Sequence, residues 1–578
     1  MEHHVEVLIG RVGHDRGMNW RDAAAMVLLL ALLTLVGVGA HALSGSFVMT
    51  HQPAISLSPA ALPGYALRTT LRMLTAMIAS LVFTLTYATA AAKSRRAEMV
   101  LIPLLDVLQS VPILGYLSFT VAFFVSLFPG RILGPELAAI FAVFTSQAWN
   151  MAFSFYQSLR TLPTDLDEAA RGFRFSGWQR FWRLEAPFAV PGLVWNMMMS
   201  MSGGWFFVVA AEAISVGNVQ VSLPGVGSYV ALAIQNRNLG AVGWAIMAMT
   251  ATILLIDQIL FRPMVVWAER FRYEQAAAQV FPRSVVYSLF TRASHLRAAV
   301  APLGRGLNRA GRMRLNPPVN LPRPALGSRT RRLVDMVWFA LIAAVVGWAA
   351  AVLVRHEASA LHWRDVQTAV SNGGLTLLRV LVLVALASLI WVPIGVFVGL
   401  RPTLAEKVQP VAQFLAAFPA NLLFPVVVFL IVNFHADPRI WLSPLMILGA
   451  QWYILFNVIA GATAFPTDFR EAASSFHIHG WRWWRDVMLP GVFPFYVTGA
   501  ITASGGAWNA SIVAEIVSWG STKLNGSGLG AYIADNTYRG DFPRIVLGVA
   551  VMSVMVIAMN RAFWRPLYAL AERRTRLD

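Results

Sequence analysis

The chain has 578 residues, 57% of them hydrophobic and only 13% charged, and its mean hydropathy is +0.60. Soluble domains carry about 25% charged residues, so a soluble surface is excluded and the chain reads as integral to a membrane. The absence of cysteine excludes disulfides, thiolate nucleophiles and cysteine metal sites; the net charge of +18, which would suggest nucleic acid in a soluble protein, reads here as loops facing anionic membrane lipid, with no nucleic-acid partner. A membrane span needs about 20 mostly apolar residues. The first falls at 24–40, behind Arg11, Arg16 and Arg21, and is expected to be retained, because many spans follow it. Five more fall at 66–90, 100–128, 136–157, 189–215 and 241–261. A second set falls at 333–354, 374–398, 410–433, 442–462, 491–517 and 543–563. The expectation is an all-α polytopic membrane protein of about 12 transmembrane helices.

Basic residues orient the chain, because loops rich in Lys and Arg stay in the cytoplasm. The stretch 91–99 holds Lys93, Arg95 and Arg96, and 158–188 holds Arg160, Arg171, Arg174, Arg180 and Arg183. The link 264–332 holds thirteen arginines against Glu269 and Glu274, whereas 41–65 has no Lys or Arg and 216–240 has only Arg237. Both termini and the link are therefore expected in the cytoplasm. The domains read as a cytoplasmic N-terminus (1–23), a first membrane block (24–263), a basic link (264–332), a second block (333–566) and a cytoplasmic tail (567–578). The link, with Asn316-Pro317-Pro318 and Arg323-Pro324, reads as a mobile tether beside the lipid headgroups.

The two blocks repeat. Pro163-Thr164-Asp165-Leu166-Asp167-Glu168-Ala169-Ala170 recurs 303 residues later as Pro466-Thr467-Asp468-Phe469-Arg470-Glu471-Ala472-Ala473. The same offset relates Trp205 to Trp508, Glu212 to Glu515, Tyr229 to Tyr532 and Arg262-Pro263 to Arg565-Pro566. Earlier residues match at 307: Arg72 with Arg379, Pro103 with Pro410 and Pro112 with Pro419. Each block starts in the cytoplasm, so the six-helix repeats are parallel.

The polar loop between the fourth and fifth spans of each block reads as a short helix. Thr164 with Asp167, and Asp468 with Glu471, are placed to form variant capping boxes. Gly177 and Gly480 are placed to turn the chain into the amphipathic stretches Trp178-Gln179-Arg180-Phe181-Trp182-Arg183 and Trp481-Arg482-Trp483-Trp484-Arg485. Such a helix on two arms suits a soluble partner, with the alanines allowing close approach and Glu168 or Glu471 offering charge.

These segments resemble the coupling loops of binding-protein-dependent ABC transporter permeases: Glu-Ala-Ala, a glycine six residues after the Glu, then Leu-Pro near nineteen. Pro187 and Pro490 are in place, and Leu489-Pro490 keeps the dipeptide; Arg174 and His477 stand where the glycine is expected. Within that family the chain is most similar to the nitrate, sulfonate, taurine and bicarbonate branch, through Leu377-Leu378-Arg379, Pro393-Ile394-Gly395, Ala507-Trp508, Ala514-Glu515 and Gly528-Leu529-Gly530, with counterparts at Arg72, Trp205, Ala211-Glu212 and Gly225-Val226-Gly227. The resemblance spans about 66–270 and 373–573. It implies a type I ABC importer permease fold with two fused copies in a bacterial inner membrane. It further implies import of a small anion by alternating access, with Asp165, Glu168, Ala169, Ala170, Gly177, Asp468, Glu471, Ala472, Ala473 and Gly480 at the coupling surface. The implied partners are two cytoplasmic ATP-binding subunits carrying MgATP and a periplasmic or extracellular solute-binding protein, with no second permease chain.

The chain has no Gly-x-x-x-x-Gly-Lys-Ser/Thr phosphate loop and no His-Glu-x-x-His site, so no catalytic residue, cofactor or metal is expected in it. Charged groups in spans are functional candidates. Arg72 and Arg379 are placed near the outer starts of their spans, where they attract an anion or support packing. Glu212 and Glu515 lie at the same end, suited to a structural or gating role and to neutralisation by those arginines. Gln147, Trp149, Asn150, Trp205, Gln451, Trp452, Asn457 and Trp508 are candidates for the pore, against the alternative that each fills or bonds within the bundle. The other functional classes compatible with the spans are an ion-coupled secondary transporter and a non-transporting scaffold. The duplicated loops disfavour both.

Overall fold

The computed structural model describes residues 55–216, 219–271, 284–292, 294–314, 361–463 and 467–568, with a few isolated positions beside them. The spans expected at 24–40 and 333–354, the N-terminal segment and most of the C-terminal tail lie outside these residues. The first half contains α1 (Leu62–Lys93), α2 (Arg95–Ser110), α3 (Ile113–Leu127), α4 (Leu133–Arg160), α5 (Thr164–Gly172) and α6 (Ala186–Glu212). A hairpin of β1 (Ala213–Val216) and β2 (Val219–Ser222) follows, then α7 (Val226–Gln235) and α8 (Leu239–Ile256). The link contributes α9 (Val285–Arg292) and α10 (Ser294–Arg312). The second half repeats the order with α11 (Trp363–Gly399), α12 (Pro402–Ala417), α13 (Phe424–Asn433), α14 (Trp452–Thr463), α15 (Thr467–Ser475) and α16 (Leu489–Ala514). The hairpin β3 (Ile516–Trp519) and β4 (Thr522–Asn525), α17 (Leu529–Arg539) and α18 (Phe542–Met559) complete it. Both hairpins are antiparallel, with Ala213 opposite Ser222 and Ile516 opposite Asn525.

The repeat extends to local irregularities. Phe181–Glu185 and Trp484–Met488 are π-helical, as are Asp257–Phe261 and Asn560–Trp564, each pair at the 303-residue offset. Long, mostly apolar runs make the unbroken spans, which keep Pro191, Pro393 and Pro494 inside their helices, whereas prolines at 112 and 419 mark breaks in the others. Among the described residues seven helices are long and apolar enough to cross a membrane, or eight if a bent pair counts as one. The expected span 100–128 divides at Pro112, which donates no N–H and biases Val111 to extended backbone. Its counterpart at 410–433 bends by 70° around Pro419. The span expected at 442–462 holds only the twelve-residue α14; Pro438 and Pro444 start short turns before it.

The broken spans join the halves. Ile113, Leu114, Leu117 and Val121 of α3 share an apolar core with residues of α11, α16 and α18, while Ala417 and Leu422 of the second half enter the core of the first. The break at Pro112 frees the Ile113 N–H, and Asn509 of the opposite half accepts it through Oδ1 at 2.8 Å. Asn421, beside the equivalent break, donates to Phe206 O at 3.1 Å. At the hairpin end, Gly520 N donates to Ile234 O at 3.0 Å, and Arg237 donates to Ser521 Oγ at 3.1 Å.

The link departs from the expected tether, because part of it is helical and docked. Arg305, Arg309 and Arg312 share one exposed face of α10. Trp178 Nε1 donates to Ala310 O at 2.9 Å and Gln179 Nε2 to Arg312 O at 2.8 Å, satisfying carbonyls at the helix end.

Helix crossings are close. A Cβ on Gly499 would stand 2.7 Å from Tyr453 O and 3.1 Å from Ile454 Cα, whereas one on Gly374 would meet nothing within 4 Å. Gly203 and Gly204 of the two Ser-Gly-Gly clusters also lie against neighbouring helices and Gly506 against Ala450 in the turn before α14, while Gly505 does not. Gly499→Val should lower stability by about 1–3 kcal/mol through overpacking against backbone. Gly374→Ala should leave it unchanged or raise it by up to about 1 kcal/mol. Thermal unfolding of the solubilised chain measures both.

Candidate functional site

Two polar regions occupy opposite ends of α6 and α16. At the hairpin end of the first half, Arg72 projects from α1 into a fully buried cluster. Its Nε and Nη2 donate to Glu136 of α4 at 2.6 and 2.7 Å, and its Nη1 donates to Glu212 at 2.6 Å. Nη1 and Nη2 also donate to Pro224 O, both at 3.1 Å. Glu212, the last residue of α6, accepts from Thr69 Oγ1 at 2.6 Å and from Gly227 N at 2.7 Å. Thr69 Oγ1 in turn accepts from Val226 N at 3.1 Å. Glu212 and Thr69 therefore serve orphan N–H groups in the first turn of α7, where a carboxylate also opposes the helix dipole. Gly225 lets this carboxylate approach: a Cβ there would lie 2.3 Å from it.

The second half builds the same device with different parts. Thr376 Oγ1 donates to Glu515 at 2.8 Å and accepts from Leu529 N at 2.8 Å; Glu515 also accepts from Ala531 N at 3.1 Å. Arg379 donates to Glu515 at 3.2 Å, to Ser527 O at 2.6 Å, to Gly526 O at 2.5 Å and to Arg439 O at 3.1 Å. Glu136 and Arg439 occupy equivalent positions at the 303 offset. The first half thus gives its arginine a second carboxylate where the second half gives a backbone carbonyl. The expected neutralisation of Glu212 and Glu515 by Arg72 and Arg379 is present as ion pairs.

Sequence reasoning missed Glu136, Thr69 and Thr376. The threonines carried a usable signal, since both stand three residues before the repeated arginine at the same 307 offset. Glu136 carried none, because its counterpart is a residue of opposite charge.

At the other end, α5 and α15 carry the Glu-Ala-Ala segments. Asp165, Glu168 and Ala169 are exposed and Ala170 is buried; Glu471 and Ala472 are exposed and Ala473 is buried. Nothing is described of the Asp468 side chain. Both helices end in the same way. Phe175 N donates to Ala170 O at 3.1 Å and Arg174 N to Arg171 O at 2.9 Å; Ile478 N donates to Ala473 O at 2.8 Å and His477 N to Ser474 O at 3.0 Å. Arg174 and His477 both have φ of 52°. The left-handed residue that ends these helices is normally glycine, so the two residues replacing the expected glycine keep its backbone conformation.

Two local expectations need correction. The turn is made by Arg174 and His477, while Gly177 begins a short helix capped by Ser176; Gly480 alone of the two glycines has positive φ, at 60°. The box expected from Thr164 and Asp167 is absent, because Pro163 holds the N-cap position without a side-chain bond. Asp167 instead pairs with Arg171 and Arg180, both at 2.7 Å.

The pore candidates separate. Trp205 lines a cavity of about 270 Å³ between the halves, with Ser202, Asp257, Arg262, Gln413 and Phe414. A second cavity of about 70 Å³ lies between α6 and α16, walled by Phe206, Phe207, Phe418 and Tyr453. Trp508 is buried without lining either. Gln147 packs beside Gly204, and Trp149 stands edge-on to Phe83 at 5.6 Å. Asn150 accepts from Gln109 at 3.5 Å, Gln451 accepts from Trp391 Nε1 at 2.9 Å, Trp452 lies 4.9 Å from Trp391, and Asn457 donates to Tyr453 O at 2.8 Å. These six make their contacts within their own half. Asp257 pairs with Arg262 at 3.2 Å.

Removing Arg72 strands two buried carboxylates, whereas removing Arg379 strands one. Arg72→Gln should therefore destabilise the chain by about 3–5 kcal/mol, and Arg379→Gln by clearly less. Parallel thermal unfolding curves of the solubilised variants test that order.

The geometry can be set beside known proteins. The model of the family described as "Binding-protein-dependent transport system inner membrane component" matches residues 81–272 and 391–576, one match in each half. The bicarbonate transport system permease protein CmpB of Synechococcus elongatus is 27% identical over 177 residues, covering 31% of this chain and 60% of that protein. The nitrate import permease protein NrtB of Synechocystis is 22% identical over 201 residues, 34% of this chain and 70% of the relative. The glycine betaine/proline betaine transport system permease protein ProW of Escherichia coli is 29% identical over 177 residues, 30% and 47% respectively. The chain thus aligns with about three-fifths of the bicarbonate permease's length. Both family matches begin after Arg72 or Arg379 of their half and include its glutamate partner, Glu212 or Glu515. The chain belongs to the inner membrane components of binding-protein-dependent transport systems, as a multi-pass, non-catalytic ABC permease with two family domains fused in tandem.

Proposed function

We propose that the chain is the whole permease of an ATP-driven importer of small anions such as nitrate, bicarbonate or a sulfonate. The observation that carries this reading is the pair of exposed Glu-Ala-Ala helices with identical left-handed ends, one in each matched domain. Each seats one cytoplasmic ATP-binding subunit bearing MgATP. ATP drives alternating access only to the extent that those subunits bind the two permease states with different affinity. A solute-binding protein delivers the anion at the hairpin end, above the clusters around Arg72 and Arg379. The chain lies in a bacterial inner membrane with both termini cytoplasmic, and the arginine face of α10 lies toward anionic headgroups. The anion assignment is supported by the bicarbonate and nitrate relatives, and the pore meets the anion with its amides and aromatic walls.

Native mass measurement of the solubilised complex should find one copy of this chain with two ATPase subunits. The double variant Glu168→Lys and Glu471→Lys should stay folded, lose ATPase subunits and lose nearly all substrate-stimulated hydrolysis. Two permease chains per ATPase pair, or normal hydrolysis in the variant, defeats this assignment.

The substrate class is tested by reconstitution with the ATPase and binding protein. Uptake of nitrate, bicarbonate or a sulfonate should depend on ATP, and glycine betaine should not be carried. Selective uptake of betaine, a sugar or a cation overturns the anion assignment and leaves the permease assignment intact.

A further inference from the structure

The first Glu-Ala-Ala helix is joined to the rest of its half by a chain of ion pairs. Asp167 of α5 is ion-paired with Arg180 at 2.7 Å, Arg180 Nε with Glu185 at 3.0 Å, and Glu185 with Lys93 Nζ, at the end of α1, at 2.9 Å. Arg171 joins from α5, and the Lys93 ammonium stands 5.5 Å from the centre of the Phe181 ring. The Glu185 side chain is only 5% exposed, so its charge is held between two cations inside the protein. The residues between α5 and α6 are gripped from the other side by α10, through Trp178 and Gln179.

The second half supplies an internal control. At the equivalent positions Asp167, Arg171, Arg180, Glu185 and Lys93 are replaced by Arg470, Ser474, Trp483, Met488 and Leu400. Every charge of the chain is lost or reversed. Met488 is fully buried in the apolar core, and Trp483 lies edge-on to Trp484 at 6.0 Å. Where the first half uses charge, the second uses apolar packing.

α1 is one uninterrupted helix from Leu62 to Lys93. Lys93 and Arg72 are 21 residues apart on it, about 32 Å at 1.5 Å per residue. A displacement of α5 that pulls on Lys93 therefore moves the buried cluster at the far end of the same rigid rod.

We propose that Asp167, Arg180, Glu185 and Lys93 are positioning residues that transmit movement of the first coupling helix into α1 through charge, while the second half, among the described residues, has apolar side chains at the positions equivalent to Arg180, Glu185 and Lys93 and acts there through packing. The two ATPase seats are then unequal in mechanism. This inference rests on the reading of α5 and α15 as ATPase seats.

The test uses the full chain reconstituted with its ATPase and binding protein, and reads solute transported per ATP hydrolysed. Lys93→Gln, at a side chain 41% exposed, should keep folding and ATPase capture but lower the ratio by about fivefold, the scale of one ion pair. Lys93→Arg should preserve it. The triple variant Lys93→Leu, Arg180→Trp and Glu185→Met installs the set that packs at the equivalent sites of the second half. The unaltered chain's ratio should fall with ionic strength, and the triple variant's should not. Normal coupling in Lys93→Gln, or a ratio indifferent to salt in the unaltered chain, overturns the inference alone. Failure of the unaltered chain to capture ATPase overturns the parent reading and this inference with it.

Discussion

Backbone polar groups within an apolar slab must find partners inside the protein. Each half of this permease meets that constraint with one carboxylate. Glu212 and Glu515 end their long helices where the chain reverses through a hairpin and re-enters as a short helix, whose first N–H groups have no helical partner. The carboxylate serves one of them, a threonine from the first long helix serves another, and an arginine three residues after that threonine balances the charge. Hairpin, short helix and long helices are thus held by one buried polar knot per half. Gly225 and Gly528 follow from it, because a side chain there would occupy the space of the carboxylate.

The halves agree in backbone and diverge in charge. Left-handed ends, π-helical segments and hairpins recur at a fixed offset. The second carboxylate at Arg72 and the ion chain at Lys93 are not repeated in the second half, where the equivalent charges are lost or reversed. Duplication preserves what backbone hydrogen bonding demands, while side-chain electrostatics drift as long as each site stays satisfied.

Much of this was legible in the sequence. Apolar length located the straight spans, and the register of Pro, Trp, Glu and Tyr established the duplication. The pairing of Arg72 with Glu212 followed from two opposite charges at one end of the spans. The broken spans were less legible because hydropathy averages across a proline: 100–128 and 442–462 are apolar enough to cross but cannot remain helical at Pro112 or around Pro438 and Pro444. Glu136 was hidden because repetition reveals only what both copies keep. The helix at 294–312 was masked by the arginines and Pro302 interspersed with its apolar positions, whose spacing is nonetheless helical. The capping box failed for a different reason: Pro163, not Thr164, holds the N-cap position, and Asp167 pairs with Arg171 and Arg180 instead.

The exchange of α3 into the opposite core bears on how the chain is made. Leu117 and Val121 complete their packing against α16 and α18, which are synthesised much later. The ribosome must add 387 residues between the end of α3 at Leu127 and the end of α16 at Ala514. At about 5–20 residues per second, that leaves the inner face of α3 without its final partners for roughly 20–80 s. During that interval the first half is a membrane intermediate with an unfilled seam. The covalent link bounds the search for the missing partner to one molecule, an advantage that two separately synthesised subunits do not have.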